Sequence, residues 1–242
     1  MTRLFQKLAI CLSAALFTVA AATGSVTADV KDADRDAFNK MIEEYILANP
    51  EVVRDALVGL AEREAAERQL QAMSILRQDD GDPFLGNPDA SMVIYEFSDY
   101  NCGYCKRVFQ PLQELIAADG DIKLVVKEFP ILSQTSLLAA QAGIAAQAQG
   151  VFSEFHSAMM TARGAISMES ILDAARSAGA DLDRLQADMN SPAVAAIIER
   201  TRMAATQLEI SGTPGLVIGS QVIPGAISLE QMRDIIAAER AS

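Results

Sequence analysis

The chain has 242 residues, half of them hydrophobic, which is the composition of a globular protein with room for one domain and an appended segment. Its 32 acidic and 20 basic residues give a formal net charge of −12, and no basic cluster interrupts the sequence, so nucleic acid is not expected as a partner. One histidine and three cysteines exclude most His-dependent catalytic schemes and most metal sites.

The first residues predict export from the cytoplasm. Arg3 and Lys7 precede an uncharged apolar stretch over residues 8–22, and small residues then end at Val26-Thr27-Ala28. This pattern is typical of a cleavable signal peptide, which we place at residues 1–28, and it predicts a periplasmic protein. A retained membrane anchor is the alternative, although the stretch is shorter than the roughly 20 apolar residues that span a bilayer.

A helical segment is predicted over residues 29–82. Apolar residues recur there at the spacing of one helix face, namely Phe38, Met41, Ile42, Tyr45 and Ile46. Asn49-Pro50 then restarts the helix, with Asn49 as its cap. Such an apolar stripe is buried either against its own domain or by self-association. We favour self-association, which predicts a dimer or trimer formed through residues 31–78.

Residues 83–242 have the pattern of an α/β domain. The predicted elements are a strand over 91–97, a helix over 102–118, a strand over 122–129, helical pieces over about 133–207, a hairpin over 215–224 and a final helix capped by Ser228. The strand–helix–strand order predicts a parallel βαβ unit. The fold class is therefore α/β, with an inserted helical domain and an N-terminal helical segment in front.

The chemistry is concentrated in Cys102-Gly103-Tyr104-Cys105. Removal of the signal peptide takes Cys11 away and leaves these two cysteines as the only thiols. If Cys102 caps the following helix, unpaired backbone N–H groups and the helix dipole favour its thiolate, the form that attacks disulfides. A Cys-X-X-Cys beside a βαβ pattern is typical of a redox motif. A zinc site shared by two chains and a structural disulfide stay open as alternatives.

Two other features fit a redox site. Glu96 lies inside the first strand, where a buried carboxyl with a raised pKa can exchange a proton with a thiol. The alternative is a strand-edge glutamate that faces solvent. The Thr213-Pro214 bond precedes the last hairpin; if it is cis, the Thr213 backbone can face an extended substrate chain. The alternative is an ordinary turn proline.

These motifs together resemble the DsbA branch of the thioredoxin superfamily, over roughly residues 84–240. The matching stretches are Glu96-Phe97, Cys102-Gly103-Tyr104-Cys105, Lys127-Glu128-Phe129-Pro130, the helical insertion and Thr213-Pro214. The segment with Asn49-Pro50-Glu51-Val52-Val53 is similar to ScsC-like and Com1-like members, whose N-terminal helices form dimers or trimers. The resemblance implies a thioredoxin-like fold. The Gly-Tyr dipeptide differs from the Pro-His of the branch's founding member, which leaves the redox potential open.

The resemblance also implies a role for each matched residue. Cys102 would be the nucleophile, Cys105 the resolving thiol, Glu96 the buried acid, Pro214 the cis-proline, Thr213 the residue before it, and Gly103 and Tyr104 the residues that tune the thiolate and meet the substrate. We also expect Lys127 to lie near Glu96 and lower the pKa of that acid. We interpret His156 as structural, since it shares a helical stripe with Phe152 and Phe155.

The predicted function is that of a periplasmic thiol–disulfide oxidoreductase, a disulfide isomerase or reductase for exported proteins. A monomeric DsbA-like dithiol oxidase and a thiol-based copper-binding or chaperone protein are the alternatives. We expect no cofactor other than a redox-active Cys102–Cys105 disulfide and no resident metal. The expected partners are exported proteins with thiols or disulfides and a membrane redox partner.

Overall fold

The computed structural model describes residues 32–241, with side chains from Asp34 to Ala241. The predicted signal peptide over residues 1–28, with Cys11, lies outside these residues. The chain divides between Leu57 and Val58 into two compact units.

The first unit consists of helix α1 (Asp32–Ala48) and the first two turns of helix α2 (Pro50–Leu76). Asn49 separates the helices as predicted: its carbonyl accepts the backbone N–H of Val52, and Pro50 opens α2, where its missing N–H is no loss. The apolar stripe is exposed, and its large side chains are Phe38, Met41, Ile42, Tyr45, Ile46, Leu47, Val52, Val53 and Leu57.

The second unit contains the rest of α2 and a five-stranded mixed sheet. Its strands are β1 (Phe84–Gly86), β2 (Met92–Ser98), β3 (Ile122–Glu128), β4 (Gly215–Ile218) and β5 (Gln221–Pro224), in the order β1-β3-β2-β4-β5. The pair β2–β3 is parallel, which confirms the predicted βαβ unit, and the other neighbours are antiparallel. Strand β1 was not predicted.

Helices cover the sheet and fill the insertion. They are α3 (Gly103–Ala118), α4 (Gln134–Gln147), α5 (Phe152–Thr161), α6 (Met168–Ser177), α7 (Leu182–Met189), α8 (Pro192–Gln207) and α9 (Leu229–Ala241). The predicted helical insertion is confirmed, since α4 to α8 lie between β3 and β4. Ser228 and Gln231 exchange side-chain and backbone hydrogen bonds at the start of α9, the capping box expected from the sequence.

The core has a layer on each face of the sheet. Ile94 and Val126 pack on one face with Leu112 of α3 and Ile236 of α9. On the other face Phe97 packs with the buried end of α2 and with α8, through residues that include Leu76, Ala72, Ala204 and Ala205. The predicted N-terminal segment 29–82 therefore ends inside this core. A third cluster joins the insertion to the cysteine pair, because Phe155 and Met159 share it with Cys102 and Cys105.

Candidate active site at the cysteine pair

Cys102 caps helix α3. It has extended backbone angles, φ −80° and ψ 114°, and its sulfur accepts the backbone N–H of Cys105 at 3.4 Å. This confirms the predicted cap and places Sγ at the positive end of the helix dipole, beside the first backbone N–H groups of α3. Both cysteines are free thiols, and while Cys105 is fully buried, Cys102 retains 6% of its surface exposed. Cys102 is therefore the sulfur that a substrate can reach first.

The loop before β4 faces this thiol. The Thr213–Pro214 peptide bond is cis, as expected for the resemblance, and the Cys102 thiol donates a hydrogen bond to the Thr213 carbonyl oxygen at 3.2 Å. The fold thus brings together two predicted elements that lie 111 residues apart in the chain. The Thr213 backbone borders the reactive sulfur.

Glu96 lies beneath the pair, on the face of β2 that packs against α3. It is buried, so the solvent-facing alternative is wrong, and its Oε1 atom has no hydrogen-bond partner. Burial raises the pKa of Glu96 to about 7. Burial also raises the pKa of the Cys105 thiol, and the nearby Glu96 charge raises it further. A carboxyl with a pKa near neutral thus acts on the ionisation of the inner thiol.

Lys127 does not lie beside Glu96, and the expectation that it lowers the pKa of this acid is wrong. In the β2–β3 register Lys127 is opposite Phe97, and neighbouring residues of a strand point to opposite faces. Its Nζ atom is 2.6 Å from Asp82 Oδ2, which also binds Arg200 at 2.8 Å. Lys127 therefore belongs to a buried ion network on the other face of the sheet.

The Gly103-Tyr104 dipeptide opens onto solvent and a cleft. Tyr104 is 59% exposed, and the Arg107 guanidinium stacks on its ring at 3.9 Å. Beside them lies an open cleft of about 490 Å³, lined by Tyr104, Arg107, Val108, Thr213, Pro214, Gly225, Ala226 and Ile227. Sequence reasoning missed Arg107 and the loop after β5, because neither carries a local motif.

Sequence reasoning also missed two residues that hold the loop before Cys102. The Asp99 carboxylate accepts the backbone N–H groups of Asn101, Ile131 and Leu132 at 2.8 to 3.1 Å. The Asn101 amide donates to a cluster of hydroxyls at the start of α4, those of Ser133, Thr135 and Ser136. An Asp-X-Asn pattern after a strand signals a turn, but not its partners.

Within the part of the chain with described side chains, no group of three or more His, Cys, Asp or Glu residues is arranged to hold a metal ion.

Among the helices of the described residues, none has the length and apolar character to cross a membrane.

A mixed sheet with a helical insertion, a Cys-X-X-Cys at a helix N-terminus and a facing Thr-Pro loop define a thioredoxin-like thiol–disulfide oxidoreductase. The family described as DSBA-like thioredoxin domain matches residues 93–237, and the chain belongs to this family. The N-terminal domain of copper resistance protein ScsC matches residues 34–67.

Solved structures agree with this assignment. A thioredoxin-like oxidoreductase from Silicibacter pomeroyi DSS-3 is 38% identical with a TM-score of 0.67, over 69% of this chain and 97% of that one. The catalytic domain of Proteus mirabilis ScsC is 26% identical with a TM-score of 0.67, over 73% and 98%. The thiol–disulfide exchange protein α-DsbA2 from Wolbachia pipientis is 30% identical with a TM-score of 0.62, over 71% and 97%.

Curated relatives include longer proteins. The Na⁺/H⁺ antiporter NhaA of Herminiimonas arsenicoxydans is 28% identical over 160 residues, which are 66% of this chain and 26% of the antiporter. The chain thus spans about a quarter of the length of this relative, and most of the antiporter lies outside the alignment.

Proposed function

We propose that this protein catalyses thiol–disulfide exchange on exported proteins in the periplasm, with isomerase or reductase as its net direction. The observation that carries the proposal is the position of the Cys102 sulfur, which lies at the N-terminus of α3 and 3.2 Å from the Thr213 carbonyl oxygen. The partly exposed sulfur of Cys102 and the backbone of Thr213 thus lie side by side, where a substrate chain can meet both.

Exchange begins at Cys102. Its thiolate attacks one sulfur of a substrate disulfide, a mixed disulfide forms, and the other substrate sulfur leaves as a thiolate. Loss of the Cys102 proton releases the Thr213 carbonyl oxygen, which can then accept a backbone N–H from an extended substrate. The neighbouring cleft, with an apolar floor that includes Val108 and Ile227, receives a substrate side chain.

Two routes resolve the mixed disulfide. In reduction, the Cys105 thiol gives its proton to the Glu96 carboxylate and attacks the Cys102 sulfur, so that a Cys102–Cys105 disulfide forms and the substrate leaves as a dithiol. In isomerisation, another substrate thiolate attacks the substrate sulfur of the mixed disulfide and returns Cys102 as a thiolate. A membrane redox partner resets the pair after reduction; no other cofactor is needed.

The proposed assembly supports the isomerase direction. The exposed apolar stripe of α1 and α2 needs a partner surface, and the match to the ScsC N-terminal domain covers residues 34–67, where that stripe lies. A homo-oligomer formed there would present several Cys102 sites to one misfolded chain. The predicted signal peptide supports a periplasmic location.

A copper-binding function is the second candidate, favoured by the match to a domain of a copper resistance protein. Two thiolates suit copper(I), which is satisfied by few soft ligands. Copper that stays bound in stoichiometric amounts through anaerobic purification, and is lost in Cys105→Ser, would favour this function.

The test uses the mature full-length chain. We expect it to restore activity to a protein with scrambled disulfides, and to do so faster than it oxidises a reduced peptide. Cys102→Ser should abolish both reactions, whereas Cys105→Ser should accumulate the mixed disulfide, visible by mass spectrometry. A wild-type protein with accessible Cys102 that performs neither reaction would overturn the proposal; one that only oxidises peptides would assign the oxidase direction instead.

A further inference from the structure

Three buried side chains next to the cysteine pair form a hydrogen-bonded chain that the exchange steps do not use. The Tyr100 hydroxyl donates to Glu128 Oε1 at 2.9 Å and lies 3.0 Å from His156 Nδ1. A hydroxyl has one hydrogen; when Tyr100 gives it to Glu128, the consistent arrangement places a proton on His156 Nδ1, which donates to the Tyr100 oxygen. The bonds therefore run in one direction, from His156 through Tyr100 to Glu128.

The chain connects three parts of the fold. Tyr100 belongs to the loop between β2 and α3, Glu128 ends β3, and His156 lies on α5 of the insertion. The rings of Phe155 and His156 pack edge-on against the Tyr100 ring, with centroids 6.0 and 5.5 Å away. The loop that carries the nucleophile is thus bonded to both the sheet and the helical insertion.

Helix α4 is shaped around this chain. A Cβ atom on Gly143 would lie 2.6 Å from Glu128 Oε1 and 2.9 Å from the Tyr100 hydroxyl, both closer than real contacts allow. A side chain at position 143 would therefore displace the two oxygens. The hydrogen-bonded oxygens of Glu128 and Tyr100 occupy the space that a side chain at position 143 would need.

Burial keeps the chain neutral at neutral pH. Burial lowers the pKa of His156 to about 3, so its imidazole is uncharged. Burial raises the pKa of Glu128 well above its ordinary value, and the charges of Asp99, Glu96 and Asp82 raise it further, although the Tyr100 hydroxyl opposes them. Burial also raises the pKa of Tyr100, so its hydroxyl keeps its hydrogen. A glutamine at position 128 is consequently a close mimic of the native carboxyl.

Tyr100 acts on the site through the backbone. It is two residues before Cys102, and the Cys102 N–H bonds to the carbonyl of Asp99, the residue just before Tyr100. The position of the Tyr100 ring therefore sets where the Cys102 sulfur lies relative to the first N–H groups of α3. A small shift weakens the capping bond to Cys105 N, which is already 3.4 Å long.

We propose that His156, Tyr100 and Glu128 are positioning residues for thiol exchange: their directed hydrogen-bond chain holds the Cys102 sulfur at the N-terminus of α3. This inference rests on the proposed exchange function. It changes the interpretation of His156, which fills the core as the sequence suggested and also begins this chain.

The first test is the equilibrium of the full-length mature protein with glutathione. Without the chain, the helix N-terminus stabilises the reduced pair less, so the equilibrium shifts toward the Cys102–Cys105 disulfide. Tyr100→Phe and Glu128→Leu should shift the equilibrium constant by roughly tenfold, about 30 mV for two electrons. Glu128→Gln, whose oxygen still accepts from Tyr100, should restore a value within about twofold of wild type. His156→Phe should shift it in the same direction as Tyr100→Phe.

Tyr95→Phe is the matched control, because it removes the hydroxyl of another buried tyrosine, on the opposite face of the sheet, and should leave the equilibrium unchanged. Equal constants for Tyr100→Phe and wild type would overturn the proposal, as would a Glu128→Gln variant no better than Glu128→Leu. Should Glu128→Leu fail to fold, Tyr100→Phe and His156→Phe carry the comparison. A wild-type pair that does not exchange with glutathione at all would instead refute the proposed function.

The second test uses the fact that His156 is the only histidine of the chain. In protein without a histidine tag, nitrogen NMR of the imidazole reports one residue and distinguishes a proton on Nδ1 from one on Nε2. We expect the proton on Nδ1 in wild type and in Glu128→Gln. A proton on Nε2 in the wild type would reverse the chain and overturn the proposal.

Discussion

At the scale of single residues, Glu96 lowers the stability of the folded protein when it ionises, yet its proposed role in thiol exchange is to accept a proton. Its carboxyl is buried beneath Cys105, one of its oxygens has no hydrogen-bond partner, and the nearest strand lysine, Lys127, serves Asp82 on the other face. Ionisation of Glu96 therefore costs free energy in the folded protein. The same cost gives it a pKa of about 7, which makes it a useful proton acceptor for a thiol.

This conflict predicts how stability depends on pH. The folded-state pKa of Glu96 is raised from 4.5 to about 7, so its contribution to stability is complete below the unfolded value and is lost as the pH rises through the folded value. Relative to Glu96→Gln, the wild type should lose about 3 kcal/mol between about pH 4 and about pH 8. Urea unfolding of both proteins across this range measures the difference.

The control for this experiment is the same substitution at Glu199, an exposed carboxyl on α8. Glu199→Gln should stay within about 0.5 kcal/mol of wild type at every pH. A constant difference between wild type and Glu96→Gln would show that Glu96 does not titrate in this range, and the proton transfer from Cys105 would lose its acceptor.

The residues that the sequence revealed are those whose signal is local. Cys102 and Cys105 stand three apart at a helix start, Glu96 interrupts an apolar strand, and Pro214 precedes another strand. Tyr100, Glu128 and Asp99 gave no such signal, because their roles exist only once β3 and the insertion have packed around the loop. Lys127 was misplaced for a related reason: the side of a strand that a residue faces depends on register, which a resemblance does not give.

At the scale of elements, α2 has two different ends. Its first turns expose Val52, Val53 and Leu57, whereas Ala72 and Leu76 are fully buried in the core beside Tyr95 and Phe97. The same uninterrupted helix is thus part of a surface at its start and part of the core at its end. The sequence shows the helix but not this division, because apolar residues occur at helical spacing near both ends of α2 and nothing local shows which end a core covers.

This division predicts opposite outcomes for two leucines of α2. Leu76→Ala removes a side chain from the closed core and should lower the free energy of unfolding by about 2 to 5 kcal/mol. Leu70→Ala, at a position 71% exposed, should change it by less than about 0.5 kcal/mol. Chemical unfolding of the two variants is the measurement. Equal losses would mean that the end of α2 does not belong to the core.

Helices were predicted most accurately where a glycine marks the end of the helix. Gly150 and Gly179 adopt positive φ just after α4 and α6, where glycine ends a helix without strain, and the predicted helices there agree closely with those observed. Strand β1 was missed because three residues carry no alternating pattern. It exists through its pairing with β3, which the local sequence does not record.

At the scale of the whole molecule, the exposed stripe of the N-terminal helices is the surface through which the proposed oligomer would bring several Cys102 sites together. Large apolar side chains on one helix face, such as Phe38, Met41 and Tyr45, are unfavourable in water and are typical of a surface that another chain covers. One Cys102 can oxidise or reduce a substrate alone. Shuffling of wrong disulfides gains from several sites near one substrate, since each trial is then repeated before the substrate escapes.

A truncated protein tests this link between assembly and direction. The cut belongs at Val58, because removal of everything before Pro83 would take Ala72 and Leu76 out of the core. We expect the mature chain to be a dimer or trimer by light scattering and residues 58–242 to be a monomer. The monomer should oxidise a reduced peptide at least as fast per site, and it should lose most of the activity on scrambled disulfides.

A full-length variant controls for effects of the truncation other than the loss of assembly. Phe38→Asp with Tyr45→Asp places charges in the stripe while every residue of the second unit is retained, so it should match the truncated protein in oligomeric state and in activity. If the double variant stays oligomeric, the stripe is not the contact surface. If it is a monomer that still repairs scrambled disulfides at the wild-type rate, a single site suffices, and the preference for isomerisation must come from the redox balance of Cys102 and Cys105 alone.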